Sequence, residues 1–238
     1  MSKTLFQLVK DFCARRGLPV PTLVVGSQDD QLVQIVGLLN EVLEDLTTRY
    51  VGQALQKSST WLTNGQENQG PLSGLCPFGY KWIINGTFWD RSQQLPVNGP
   101  MTAQEWQDLK GRAAYGAWLQ YRIIGDELHL LGDLGSGRTM ALEYASDWAV
   151  RADDGTFKAE FSADTDTCLY PTSVLQAGLN WKWRLEKGMK YAEAFRTYET
   201  LVTEFNGHDG TKRALFMDGG DQRATPGIFM PVVVRSQS

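Results

Sequence analysis

Apolar positions recur along this chain at spacings that change from region to region, and the changes predict its elements. Leu5, Leu8, Val9, Phe12 and Cys13 follow a helical period, with Thr4 and Gln7 at capping-box spacing before them and Gly17 as a stop. A second helix is expected over about 29–49, where Leu32, Ile35, Val36, Leu39, Val42, Leu43 and Leu46 form a stripe that must be buried. Its opposite side carries Gln34, Glu41 and Glu44. The helical period returns after residue 171. Here Val174, Gly178, Trp181 and Leu185 form one stripe and Leu175, Leu179 and Trp183 a second, while Gln176, Asn180, Arg184 and Lys187 make the polar side. Gly188 breaks this helix. Another is expected to begin near Met189 or Lys190, where Tyr191, Phe195, Tyr198, Val202 and Phe205 give a heptad-like seam.

Between these ends the period shortens to two. Residues 54–63 read as a strand and the polar, glycine-rich 64–74 as a loop. Residues 118–124 and 127–131 flank Gly125 and Asp126, a hairpin signature. In 138–145, Met140, Leu142 and Tyr144 alternate as core positions against Thr139, Ala141, Glu143 and Ala145, and these consecutive strands are expected to form a meander. At 85–112, Pro96, Asn98, Gly99 and Pro100 make a corner. Thr102 and Glu105 repeat the capping-box spacing, Met101 and Trp106 stand at staple positions, and a helix follows over about 102–114.

Together these patterns predict an α+β chain. Its frame is a helical bundle made by the N-terminal helices (1–53) and a C-terminal helical hairpin (171–207), with a β-rich insertion (54–170) and an extended C-terminal tail (208–238). The tail carries the apolar run Ile228, Phe229, Met230, Pro231, Val232, Val233 and Val234, which would aggregate unless covered. It is therefore expected to dock, either back on the chain or, the favoured reading, on a partner by strand addition. Two stripes on the 172 helix suggest two packing partners, so Leu175, Leu179 and Trp183 are expected to contact a neighbouring subunit.

Composition narrows the function classes. A net charge of −4 without any Lys/Arg block argues against a general nucleic-acid binder. Cys13, Cys76 and Cys168 lie far apart without CxxC pairing, which argues against a disulfide framework. With His129 and His208 as the two histidines, zinc-ligand spacing is missing. No stretch reaches the roughly 18 apolar residues of a membrane span, and the N-terminal residues lack a signal-peptide core.

Candidate chemistry is sparse. Asp164, Thr165 and Asp166 match a metal–nucleotide motif by letter, but a cap before the 172 helix accounts for them as well. The glycine-rich 132–137 precedes a strand, and so lacks the helix N-terminus of a phosphate cradle. Ser136 lies in no GxSxG elbow. Asp90 and Glu105 are the first carboxylates to test for sugar cleavage, although spacing fixes no separation between them, and an exposed Trp89 would stack on sugar. No catalytic, cofactor or metal site is expected, and no enzyme activity.

Spread along about 1–206, several stretches carry a family likeness. They are LFQLVKDFCARRGLPVP and QLVQIVGLLNEVLEDLTTRY, then FGYKWIINGTFWDRSQQLPVNGPMTAQEW, then LYPTSVLQAGLNWKWRLEKGMKYAEAFRTYETLV. This pattern resembles the head-to-tail adaptors of tailed bacteriophages, above all short-tailed ones, also called connectors or tail tubular proteins. The resemblance implies a helical bundle decorated by a β-rich insertion and a dodecameric ring beneath the portal. DNA would pass through the channel without sequence-specific binding. The implied partners are the portal protein, a tail nozzle or tube protein and further copies of the chain. The implied location is the neck of the virion, assembled in the host cytoplasm without a membrane. Ile228, Phe229, Met230, Val232, Val233 and Val234 would then dock on the portal. Two other expectations are a carbohydrate-binding or polysaccharide-cleaving tail protein and a head-completion protein of a long-tailed phage.

Overall fold

The computed structural model describes residues 3–112 and 118–209. The chain opens with helices α1 (Leu5–Arg16) and α2 (Asp30–Arg49), then strands β1 (Gln56–Asn64) and β2 (Asn68–Pro71) and the short helix α3 (Leu72–Leu75). Strands β3 (Trp82–Ile83), β4 (Trp89–Asp90) and β5 (Leu95–Pro96) lead to helix α4 (Ala103–Arg112). Next come β6 (Gln120–Ile124), β7 (Glu127–Leu131), β8 (Ser136–Ala145), β9 (Val150–Arg151), β10 (Phe157–Lys158) and β11 (Thr167–Cys168). Helices α5 (Thr172–Glu186) and α6 (Ala192–Asp209) close the described part. The apolar run Ile228, Phe229, Met230, Val232, Val233 and Val234 lies outside the described residues.

Local chemistry sets the helix ends. The Thr4 hydroxyl accepts from the Gln7 amide while Gln7 Oε1 accepts from the Thr4 amide, each at 3.3 Å, and Gly17 closes α1 in the left-handed conformation. Asp29 caps α2 through the Gln31 amide at 2.9 Å. Thr102 and Glu105 form the second reciprocal box, and Trp106 is buried beneath it. Gly99 is required at the preceding corner. Its φ is +146°, and a Cβ there would meet the Tyr121 carbonyl oxygen at 2.5 Å.

The described strands form three antiparallel sheets. β8 pairs along its length with β1, from Gln56 opposite Ala145 to Asn64 opposite Ser136. Its other edge is shared by β3 and β4, and β5 follows β4. β7 joins β6 and β2 in a second sheet, and β9 lies between β10 and β11 in a third. The expected meander is therefore broken after its first hairpin, because β8 leaves β7 for β1. The expected loop 64–74 contains β2 and α3 instead. Its polar letters reflect side chains turned onto the local backbone: Asn64 Nδ2 donates to the Asn68 carbonyl oxygen at 2.8 Å, and Asn68 Oδ1 accepts from the Gly70 amide at 2.8 Å.

The expected helical bundle frame is overturned. The apolar faces of α1, α2, α5 and α6 do meet in one core, but Ala149, Val150, Phe161, Cys168 and Tyr170 are buried in that same core. The third sheet thus closes the side that a bundle would close with helices. It is also tied to the start of α1, where the Leu5 amide donates to the Asp166 carbonyl oxygen at 2.7 Å and Thr4 bridges Thr167. The chain is a β-rich α+β fold with two cores, and residues 149–170 are a wall of the helical one. The second core gathers Phe88, Tyr121, Leu128, Leu130, Met140, Leu142 and Tyr144 with their neighbours.

The subunit-contact expectation is corrected as well. Leu175, Leu179 and Trp183 are buried in the chain's own helical core, and Trp183 meets Phe12 edge-on at 5.7 Å. Of the other stripe, Val174 and Gly178 are buried and Trp181 packs on Phe195 and Tyr198 of α6, while Leu185 is exposed.

Candidate functional site

The turn of the β4–β5 hairpin is made by Asp90. Its Oδ1 accepts from the amides of Ser92 at 2.9 Å and Gln93 at 3.0 Å, and its Oδ2 accepts from Arg138 Nη1 at 3.4 Å. With both oxygens engaged and 2% of the residue exposed, Asp90 is a turn-former and not an available acid. Gln94 takes a φ of 59° to complete the turn, the one non-glycine with positive φ among the described residues.

Beside this hairpin lies an open cleft of about 520 Å³, lined by Thr87, Trp89, Arg91, Gln94 and Glu143 among others. Trp89 Nε1 donates to the Gly86 carbonyl oxygen at 3.3 Å, which fixes the indole as a wall. An aromatic face beside a guanidinium, an amide and a carboxylate suits stacking on, and hydrogen bonding to, a polar ring. Glu105 is not part of it. It faces Thr102 at the start of α4, whose backbone amide holds its carboxyl below the ordinary range. Asp90 and Glu105 therefore form no pair, and Glu143 is the one carboxylate among the lining residues. The usual glycosidase arrangement uses two.

The other sequence motifs are braces. Asp164 accepts from the amides of Val24 at 3.1 Å and Val25 at 2.7 Å, and Asp166 Oδ2 accepts from those of Ser162 and Ala163 and pairs with Lys158. The glycine-rich turn before β8 is held by Thr63, whose hydroxyl donates to the Gly135 carbonyl oxygen at 2.6 Å. Burial pushes the Cys76 and Cys168 thiols up to about 12 and raises Cys13 too, so none is poised as a nucleophile. Among the described residues, no group of three or more His, Cys, Asp or Glu could hold a metal, and no helix is long and apolar enough to cross a membrane.

Three surface features on the helical side complete the picture. A cleft of about 510 Å³ separates α2 from the β-rich part and is lined by Glu41, Glu44, Lys81, Asp147 and Glu160 among others. Lys81 donates to the Thr48 hydroxyl at 2.9 Å; burial lowers its pKa, while Asp147 and Glu44 act the other way. A second cleft, about 380 Å³, runs between α1 and α5 and holds Arg15, Arg16, Gln176 and Asn180. Burial, and then the charge of Arg184, lowers the pKa of Arg16. The third feature is the corner between α5 and α6, where Leu185, Met189, Tyr191 and Phe195 are exposed. Hydrogen bonds from Arg184 Nη1 to the Lys190 carbonyl oxygen and from the Met189 amide to the Arg184 carbonyl oxygen fix that corner.

The polar sides of α2 and α5 were legible as helix faces. What the sequence hid was their company: Asp147 and Glu160 reach the α2 cleft from more than a hundred residues away, a distance that no local pattern spans. No protein-family model matches the chain, and no curated protein is similar enough to it to stand as a relative.

Proposed function

We propose that this chain is a virion structural protein, a ring-forming head-to-tail adaptor that joins the portal to the tail and continues the DNA channel. The observation that carries this reading is the α5–α6 corner. Leu185, Met189 and Tyr191 are each 43% exposed and Phe195 is 38% exposed, all within one rigid helix–turn–helix. Grouped large apolar side chains on a surface are what a protein-binding face supplies. The corner lies inside the last of the stretches that resemble phage adaptors, and the resemblance supplies the kind of assembly: a dodecameric ring in the virion neck, put together in the host cytoplasm. Its partners are the portal on one side and a tail nozzle or tube protein on the other. DNA passes through without sequence-specific contacts, and the run 228–234 docks on the portal. Co-purification with portal tests this. The full chain is expected to assemble on the portal and a chain cut after residue 207 to lose that binding; normal portal binding by the shortened chain removes the docking claim.

The Trp89 cleft favours a second reading, a carbohydrate-binding tail protein. Glycan-array binding that falls at least about tenfold in Trp89→Ala, with unchanged thermal stability, supports it. A chain that binds no glycan, or one that binds equally well without Trp89, sinks it.

A further inference from the structure

Two clefts on the helical side, one between α1 and α5 and the other along α2, carry opposite charge and opposite hydrogen-bonding character. Ser173, Gln176, Asn180 and Arg184 recur at helical spacing and share the face that looks onto Arg15 and Arg16 of α1. Lys182 sits two residues from both Asn180 and Arg184, so it points roughly 200° away around the helix. There it pairs with Glu41 of α2 at 2.7 Å. Glu41 also lines the acidic cleft along α2, so the two clefts are separate surfaces with no lining residue in common.

The first cleft offers donors. Arg15, Arg16 and Arg184 have no carboxylate within ion-pair distance among the described residues. Arg15 Nη1 occupies the Gln176 amide oxygen at 3.1 Å and leaves Gln176 Nε2 buried without a partner. Arg184 Nε occupies the Asn180 amide oxygen at 3.3 Å. Both amide oxygens are thus taken by guanidiniums, which leaves this cleft with donors to offer.

The second cleft offers acceptors. Glu44 and Glu160 are exposed and make no ion pair among the described residues, and Asp147 Oδ1 is buried without a hydrogen-bond partner. Lys81 is the one cation among the lining residues. Guanidinium forks and carboxylates are geometrically matched, so each cleft supplies what the other lacks.

We propose that the Arg15–Arg16–Arg184 cleft of one copy receives the Glu44–Glu160 rim of the next copy, so that copies associate head to tail. The two surfaces differ, and repeating such a heterologous contact closes a ring when its rotation closes. That ring rests on the adaptor reading, whereas the pairwise contact can be measured without it. Charge complementarity on this one chain selects a second copy over a nucleic-acid phosphate as the occupant.

Sedimentation of the full chain tests the contact. Wild type is expected to self-associate at low salt and to weaken at least about tenfold at high salt. The face variants are Arg15→Glu with Arg16→Glu, which leaves the corner-bracing Arg184 in place, and Glu44→Lys with Glu160→Lys, which leaves the Lys182–Glu41 pair intact. Each alone is expected to stay monomeric, and their equimolar mixture and the fourfold variant to associate again. Circular dichroism checks folding, and the milder Arg15→Gln, expected to weaken association part way, serves if the double reversal unfolds. A wild type that stays monomeric at low salt, or a single-face variant that associates normally, overturns the proposal. So does loss of binding to a DNA duplex in Arg15→Glu with Arg16→Glu while self-association is unchanged, which would assign the cleft to nucleic-acid phosphates. Portal binding is read separately in the same samples: its presence alongside a charge-insensitive association leaves the adaptor reading standing and removes only this contact.

Discussion

The two cores of this chain are built from opposite kinds of sequence. In the helical core, α1, α2, α5 and α6 each contribute several residues from a continuous stripe, such as Leu32, Ile35, Leu39, Val42, Leu43 and Leu46. In the β core, residues of β6, β7 and β8 are joined by others from fragments: Leu72 from a four-residue helix, Ile83 from a two-residue strand, Phe88 and Val97 from the ends of a hairpin. A stripe specifies its own element. A fragment does not, because a two-residue strand has no stability apart from its partner. β8 is that partner, with β1 on one edge and β3 and β4 on the other. The helical core is thus distributed over long elements, whereas the fragments of the β core depend on β8 and on the aromatic side chains gathered near it.

Substitutions can break or sharpen this contrast. Phe88 lies 5.6 Å from Trp61 and 5.1 Å from Tyr121, ring to ring, and is almost fully buried. Phe88→Ala is expected to cost about 3–5 kcal/mol in denaturant unfolding, the largest effect, because the fragments around it cannot close the cavity. In the helical core, Gly178 marks the closest approach of helices. A Cβ there would meet Val42 Cγ1 at 2.6 Å and Tyr198 Cε2 at 3.1 Å. Gly178→Ala is expected to cost about 1–3 kcal/mol, less than Phe88→Ala since long helices can slide slightly to accommodate it. An equal or larger loss for Gly178→Ala would erase the distinction.

Much of this was readable in advance, for a physical reason. The capping boxes at Thr4 and Thr102 are local, so letters three apart suffice to place them. Met140, Leu142 and Tyr144 were read as core by alternation, and all three are buried. Ala141 and Ala145, assigned to the opposite face, are buried too, because their short side chains lie between flanking strands, while Glu143 on the same face is exposed. What misled was the stripe Leu175, Leu179 and Trp183: its apolarity was plain, but whether the covering surface belongs to this chain or another is a tertiary fact. The bundle frame failed similarly, since β9 and β11 are two residues each and leave no periodic trace. Of the candidate site, Trp89 was legible and Glu143 was not, because β8 brings Glu143 to the cleft from fifty residues away.

Smaller effects sharpen the local part of the account. Thr4→Ala removes one half of a reciprocal cap and is expected to cost about 1 kcal/mol in thermal unfolding. The smallest concerns Glu199, which receives Arg49 Nη1 at 2.7 Å and Nη2 at 2.6 Å. The hydrogen bond from Arg49 lowers the Glu199 carboxyl pKa. A depressed carboxylate stabilises the fold above its unfolded pKa, and the contribution disappears as pH falls through the folded value. The pair is partly exposed and screened, so about 0.2–1 kcal/mol is expected. Comparing wild type with Glu199→Gln, the difference should be present near neutral pH and vanish in acid; a difference that grows in acid contradicts the pairing.

The central claim is that this chain works as one copy among many in a ring on the portal. Its most direct test is the mass of the assembled complex, measured with and without portal present. The account predicts a portal-bound ring of this chain with matching copy number. A chain that stays monomeric with portal present contradicts it.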